Sequence, residues 1–255
     1  MEETQEDDVS EKNKGAIRRE KLGSIEFKDT TYRYPEADLD TLRSINLSVN
    51  EGEKGAILGR NGSGKSTLMK LASGLFKASD GLVMYDGVDI KQLHTDDLSK
   101  SIGIVLQDVQ LFSGSIRENI TMGREDINQD DLINAGKLSG LDDFVSKIPG
   151  GYDLQLSDGG KGLSGGQRQS IALARAIVHK PTHFILDEPT SAMDMNAENI
   201  FISQMGSIMQ DSTMLIVTHR MPLLNLVDRI IVMNEGQIVE DGPKEEIINK
   251  LNQPR

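Results

Sequence analysis

Apolar and polar positions alternate from Gly23 onward: Ile25 and Phe27, then Thr31 and Tyr32, sit among charged neighbours in the period-two pattern of a half-buried strand. A second strand is expected over Ile45-Asn46-Leu47-Ser48-Val49, closed by the turn Asn50-Glu51-Gly52-Glu53, and the two would form a small β layer. Short apolar runs that read as strands follow at Gly55-Ala56-Ile57-Leu58, Leu82-Val83-Met84-Tyr85, Ile102-Gly103-Ile104-Val105-Leu106, His183-Phe184-Ile185-Leu186-Asp187 and Met214-Leu215-Ile216-Val217, with two more at 229–233 and 237–239. Between them the spacing turns helical. A helix-compatible run, Thr67-Leu68-Met69-Lys70-Leu71-Ala72, follows the first of these strands, and a short polar helix is expected near 95–101. Residues 128–148 carry apolar stripes through Leu132, Ile133, Leu141, Phe144, Val145 and Ile148. A long helix over about 167–178 turns Ile171, Leu173, Ala174 and Ile177 inward, and a polar helix over about 244–251 closes the chain.

Composition narrows the class. At 255 residues with 37% hydrophobic content, the chain is long enough to bury a globular core. No apolar stretch approaches the roughly 20 residues that cross a bilayer, and the N-terminus lacks the apolar centre of a signal peptide, so a cytoplasmic setting is expected. The absence of cysteine excludes disulfides and thiolate metal sites. A net charge of -12 has the wrong sign for tracking nucleic acid over a broad basic face, and no nucleic-acid partner is expected. Acid is concentrated at the front, in Glu2, Glu3, Glu6, Asp7, Asp8 and Glu11, without aromatic residues. Residues 1–22 therefore read as a disordered acidic leader or linker, and the folded domain as 23–255.

The candidate chemistry begins at Gly59-Arg60-Asn61-Gly62-Ser63-Gly64-Lys65-Ser66-Thr67, which fits G-x-x-x-x-G-K-[ST] between a strand and a helix. Glycines let the backbone turn tightly and aim successive N–H groups inward, and the helix N-terminus adds its dipole, so such a loop holds phosphates. Lys65 would reach the β- and γ-phosphates of a nucleotide. The Ser66 hydroxyl would complete the oxygen shell of a Mg²⁺ ion. Upstream, Pro35 keeps Tyr34 out of helical geometry. An exposed ring there can stack on a base, although a tyrosine at a strand end also serves as edge packing.

A second cluster lies at strand ends. His183-Phe184-Ile185-Leu186-Asp187-Glu188 is an apolar strand that delivers two adjacent carboxylates. Neighbouring strand residues point to opposite faces, so the two acids take separate roles unless the chain bends. Asp187 fits the acid that orients Mg²⁺ and its waters. Glu188 fits the general base that polarises an attacking water. The next strand delivers Thr218 and His219 to the same edge, where His219 would hydrogen-bond a γ-phosphate, and Gln107 stands at the end of its own strand as a neutral amide able to touch metal or water. His94, His179 and His183 lack such placement and read as structural.

In this order the pieces resemble the nucleotide-binding domain of ATP-binding-cassette (ABC) transporters, over nearly all of residues 23–250. The phosphate loop is shared by many NTPases. Leu163-Ser164-Gly165-Gly166-Gln167 ahead of Asp187-Glu188, followed by Ser191-Ala192-Met193-Asp194 and then His219, is far more specific. The resemblance implies an α/β fold: a P-loop NTPase (RecA-like) core with an N-terminal antiparallel β subdomain and an α-helical subdomain inserted at about 108–165. It also implies an ATPase that uses Mg²⁺ and pairs head to tail with a second copy, so that the Leu163 to Gln167 turn of one chain caps the γ-phosphate held by the other's Lys65 loop. Asp194 would lie at the dimer seam, Tyr34 would stack on adenine, and Gln107 would link the γ-phosphate and Mg²⁺ to a membrane-spanning partner domain at the cytoplasmic face of the inner membrane.

The segment Leu111-Phe112-Ser113-Gly114-Ser115-Ile116-Arg117-Glu118-Asn119-Ile120 looks like exporters, and residues 162–176 are most similar to bacterial type I protein-secretion ATPases, which implies a protein or peptide cargo. Ser157-Asp158-Gly159-Gly160 departs from the Gly-Glu-Arg-Gly-like segment usual there. Two alternatives are an ABC ATPase that moves no cargo and a non-catalytic ATP-gated binding module.

Overall fold

Strand β1 (Ile25–Tyr32) lies between β2 (Leu42–Val49) and β4 (Asp80–Tyr85), antiparallel to both, and β5 (Val88–Asp89) completes a four-stranded sheet. The structure, a computed structural model, describes residues 15–19 and 21–252. Ile25 is opposite Val49 and Tyr85, and Phe27 opposite Leu47 and Val83, so the apolar members of three strands share one face. At Asp29, whose φ is +45°, the register shifts and Thr30 turns inward to donate its hydroxyl hydrogen to the Leu82 carbonyl (2.7 Å). The alternation read through Thr31 therefore slips by one residue.

Five strands of the second sheet run parallel: β3 (Lys54–Gly59), β6 (Ile102–Val105), β9 (His183–Asp187), β10 (Thr213–Val217) and β11 (Arg229–Asn234). Antiparallel β12 (Gln237–Pro243) closes one edge, and the order across the sheet is β12-β11-β3-β10-β9-β6. Every residue of β9 and β10 is buried, as expected for a parallel sheet covered on both faces. On one face Ile57, Ile185, Leu215 and Val217 pack with the apolar side of the antiparallel sheet and with helix α1 (Lys65–Ala72) through Leu68, Met69 and Leu71. No side chain caps α1, whose Ncap is Gly64. Burial of those three side chains, roughly 1.5–3 kcal/mol each, holds the helix and leaves its N-terminus open.

The opposite face, through Phe184, Leu186, Met214 and Ile216, packs on α6 (Gly165–Ile177) and α7 (Met195–Ile208). The helix α7 went unread in the sequence; Asp194 caps it by accepting from the Ala197 N–H (2.8 Å). Short α2 (Thr95–Ser101) and terminal α8 (Lys244–Leu251) lie where expected.

Between β6 and α6 comes the expected helical insertion, built from α3 (Ile116–Thr121), α4 (Gln129–Leu138) and α5 (Asp142–Val145) and pinned by the two-stranded ladder β7 (Gly114–Ser115)–β8 (Gln155–Leu156). The helical pattern over 128–148 resolves into two helices because Gly140, at φ +71°, ends the first. Leu132, Leu141 and Val145 are buried all the same.

Most of the leader expected over 1–22, residues 1–14 and 20, lies outside the described residues. What is described of it is held in place. Ile17 bridges to Leu93, Arg18 pairs with Asp97 (2.7 Å), and Leu22 is buried. Order thus starts upstream of Gly23, because Ile17 is held by backbone hydrogen bonds to Gln92 and His94, Leu22 is buried in the core, and Asp97 accepts from the Arg18 side chain and the Arg19 N–H. Among the described residues no helix is long and apolar enough to cross a membrane.

Candidate functional site

Parallel strands end at a common edge, and there the chain leaves β3, β9 and β10 as loops around an open cleft of about 650 Å³. Tyr34, Asn61, Gly62, Gly64, Lys65, Ser66, Thr67, Gln107, Asp187, Glu188 and His219 line it. The structure therefore brings together six residues of the expected phosphate loop, both acids, the glutamine and the histidine singled out in the sequence, while Gly59, Arg60 and Ser63 of that loop do not line the cleft. Thr41, Ser191 and Val217 complete the wall.

The loop after β3 has little room for side chains. A Cβ on Gly59 would stand 2.3 Å from the Met233 carbonyl oxygen, and Gly64, at φ +98°, lies under Leu42. These close approaches press the loop onto β11 and β2. Buried Ser63 fixes it further, its carbonyl accepting from the Gly236 N–H (3.1 Å), while its own hydroxyl has no protein partner. Arg60, Asn61 and Gly62 are exposed.

Lys65 is buried, with Nζ donating to the carbonyls of Gly59 (2.8 Å) and Arg60 (3.0 Å). Burial pushes its pKa down; Asp187 and Glu188 oppose the shift. Its ammonium therefore gains from any anion that enters the loop.

Asp187 ends β9 almost fully buried, and burial raises its pKa against a hydrogen bond from Ser66 and the charge of Lys65. Its Oδ1 has no hydrogen-bond partner. An orphaned carboxylate oxygen beside a serine hydroxyl, with the Gln107 amide on the same cleft, is a hard-oxygen donor set suited to Mg²⁺. Among the described residues no three His, Asp or Glu side chains cluster as a metal cage.

Glu188 has φ +50°, a left-handed conformation uncommon for a side chain of this size. The bend answers the question of faces raised by the sequence: it breaks the strand alternation and lets both acids reach the cleft. Burial raises the Glu188 pKa, and the neighbouring His219 lowers it. His219 Nε2 lies 3.4 Å from Glu188 Oε1, while the imidazole is itself half exposed.

Tyr34 is partly exposed at the cleft mouth. Its hydroxyl hydrogen-bonds Thr67 Oγ1 (3.1 Å), and its ring stands edge-on to Tyr32 and Phe76. Its ring edges pack as edge packing requires, while part of its surface faces the cleft.

The turn at Leu163-Ser164-Gly165-Gly166-Gln167 does not line the Lys65 cleft. Ser164 caps α6 in a reciprocal box, taking the Gln167 N–H (3.2 Å) while Gln167 Oε1 accepts from its own N–H (2.8 Å). Leu163 packs into the core, and Arg168 donates to its carbonyl (2.7 Å). Leu163 and Gln167 therefore shape the turn from within, and Ser164 stands exposed at the tip of a helix N-terminus. Asp194 is also exposed, at the start of α7.

Two of the three histidines read as structural make structural hydrogen bonds. His183 is buried between the Gly23 carbonyl and Thr182, and His94 caps α2. Sequence reasoning missed Gln169, Thr190, Glu198 and Arg220, which brace the loop after Glu188. Arg220 pairs with Glu198 (3.0 Å), which also accepts from the Thr190 hydroxyl (2.8 Å). No motif spacing announces such partners, because they meet only through tertiary contact.

The sequence model of the family described as "ABC transporter" matches residues 42–191. The chain is similar to the cyclolysin secretion/processing ATP-binding protein CyaB of Bordetella pertussis, 40% identical over 226 residues that make up 89% of this chain and 32% of that protein. It is 42% identical to the leukotoxin translocation ATP-binding protein LktB of Mannheimia haemolytica over 230 residues, 90% of this chain and 32% of the relative. The chain thus spans about a third of the length of the curated relatives it matches. Among solved structures, a bacterial Atm1-family ABC exporter with ATP bound superposes with a TM-score of 0.83 at 31% identity, covering 91% of this chain and 40% of that one.

Proposed function

The chain belongs to the ABC transporter family, and on that premise we propose that it is the ATP-binding and ATP-hydrolysing domain of an exporter that moves a protein or peptide across the inner membrane. The observation that carries this reading is the convergence of the Lys65 loop, Asp187, Glu188 and His219 on one cleft.

The Lys65 ammonium and the loop N–H groups bind the β- and γ-phosphates, and Tyr34 stacks on adenine. Ser66, Gln107 and Asp187 hold Mg²⁺, which neutralises phosphate charge when bound. Glu188 takes a proton from the attacking water as the water oxygen bonds to the γ-phosphorus. The bond from that phosphorus to the bridging oxygen breaks, and ADP leaves. His219 orients the γ-phosphate and the base.

The exposed Ser164 turn, remote from its own chain's cleft, caps the γ-phosphate in a second copy of the chain, with Asp194 at the seam. ATP is then shared between two chains. A membrane-spanning domain at the cytoplasmic face couples this closure to transport, and the names of the secretion relatives favour a protein cargo.

The rate of ATP hydrolysis per chain, measured with Mg²⁺ over a range of chain concentrations, tests this reading. It rises with concentration if two chains complete each site. A chain that binds ATP yet hydrolyses none at any concentration is a gated binding module instead.

A further inference from the structure

We propose that Gln169 is a positioning residue that sets the aim of the Glu188 carboxylate. It sits on the second turn of α6 and is 2% exposed, turned away from solvent toward the loop that follows β9. Its Nε2 donates to the Glu188 carbonyl (3.1 Å), and its Oε1 accepts from the Ala192 N–H (3.1 Å). A backbone carbonyl only accepts and a backbone N–H only donates, so these two partners fix the orientation of the amide without ambiguity.

The position of this clamp gives it a function. Glu188 occupies a left-handed conformation, at φ +50°, that a glutamate adopts only when its surroundings hold it there. From the β-sheet side, the Glu188 N–H donates to the Val217 carbonyl (2.9 Å). From the helix side, Gln169 takes the carbonyl of the same residue. The backbone of the base is thus gripped at both ends; its carboxylate takes one hydrogen bond, from the His219 backbone N–H, and its Oε1 has none. The Ser191 N–H also donates to the Glu188 carbonyl (3.1 Å), within the same short turn; without Gln169 that local bond is the carbonyl's one remaining tie, the link to the helix is lost, and the carboxylate is no longer held on the attacking water.

The same amide ties Glu188 to Ala192, and Gly165 makes a second contact there, since a Cβ on it would stand 2.9 Å from the Ala192 Cβ. The helix that begins at the Ser164 turn therefore meets the loop of the base at two points. A shift of that turn as it engages a second chain's nucleotide carries through Gln169 to Glu188.

This inference rests on Glu188 acting as the base, and the test separates the two. Steady-state hydrolysis is measured against ATP concentration for the wild-type chain, Glu188→Gln, Gln169→Met and Gln169→Glu, with thermal melting and fluorescent-ATP binding on each. Gln169→Met keeps the length of the side chain and removes both hydrogen bonds. Gln169→Glu keeps the acceptor for Ala192 and loses the amide donor to Glu188, and it carries the test where the methionine variant does not fold.

Both variants are expected to lose about tenfold or more in kcat, with KM and nucleotide affinity within about twofold of wild type, since misplacing a reacting group by a fraction of an ångström lowers turnover and leaves ground-state binding intact. Wild-type kcat in either folded variant overturns the proposal, and so does a raised KM at unchanged kcat. If Glu188→Gln retains turnover, the base assignment fails and the inference fails with it. If only the Gln169 variants retain turnover, the base assignment stands and Gln169 is structural.

Discussion

His219 Nε2 faces Glu188 Oε1 across 3.4 Å at the ends of neighbouring parallel strands. The distance is too long for a strong hydrogen bond but short enough for the imidazole to steer the carboxylate, and it leaves the inner oxygen available to a water. Burial raises the Glu188 pKa and His219 lowers it. A general base works only when ionised, so turnover falls as pH drops through this raised pKa, and the acid limb of the kcat profile lies above the ordinary glutamate range. In His219→Ala the influence of the imidazole is gone, while the backbone N–H of residue 219 still donates to the carboxylate. The acid limb therefore moves to higher pH and kcat falls, as a pH–rate profile of the two proteins will show; coincident profiles contradict the pairing.

Glu188→Gln keeps the shape of the side chain and removes its basicity. Hydrolysis should drop by about two orders of magnitude or more, in line with the usual worth of a general base, and ATP should bind as tightly as before. Phosphate release and equilibrium nucleotide binding measure the two separately. Unchanged turnover would sink the assignment.

Tyr34 makes contacts on both sides. Its hydroxyl bonds Thr67 and part of its surface is open to the cleft. Loss of the ring in Tyr34→Ala should weaken ATP binding by about 1–3 kcal/mol, the range found for a base on an aromatic face, while Tyr34→Phe keeps the stacking surface and stays near wild type. If the phenylalanine variant binds as poorly as the alanine one, the hydroxyl matters and the stacking does not.

Asp187 illustrates a cost of the site. Its folded-state pKa is raised by burial above the unfolded value, so the ionised form opposes folding, and stability is lost as pH rises through the folded pKa. Asp187→Asn removes that burden. Without nucleotide the variant should melt a few degrees higher than wild type at pH 8, with the gap narrowing at low pH, and it should lose Mg²⁺-dependent hydrolysis. A lower melting temperature at pH 8 would mean that the Ser66 and Lys65 contacts outweigh desolvation.

Much of this architecture was legible in the sequence because it rests on local chemistry. The glycines of the Lys65 loop, the apolar runs of β3, β9 and β10 and the carboxylates after Leu186 each declare their place without reference to distant residues. Other features needed the fold. The bulge at Asp29 and the break at Gly140 are backbone events inside patterns that looked continuous. Helix α7 follows a motif whose Asp194 drew attention as a seam residue, although its side chain also starts that helix. The Ser115–Glu118 capping box of α3 was visible as Ser-x-x-Glu, yet it lay inside a segment read for its likeness to exporters. Gln169 and Arg220 carry no local signal at all, for their partners lie on loops brought together only by the parallel sheet.

The central claim is that each ATP is completed by two chains, Lys65 from one and Ser164 from the other. Lys65→Ala and Ser164→Arg, each expected to be inactive alone, test it when mixed. A mixed pair holds one cleft with both defects and one with neither. The account predicts that mixing restores a clear fraction of wild-type hydrolysis with Mg²⁺; if the mixture stays as inactive as its parts, the two residues act within a single chain and the shared site is wrong.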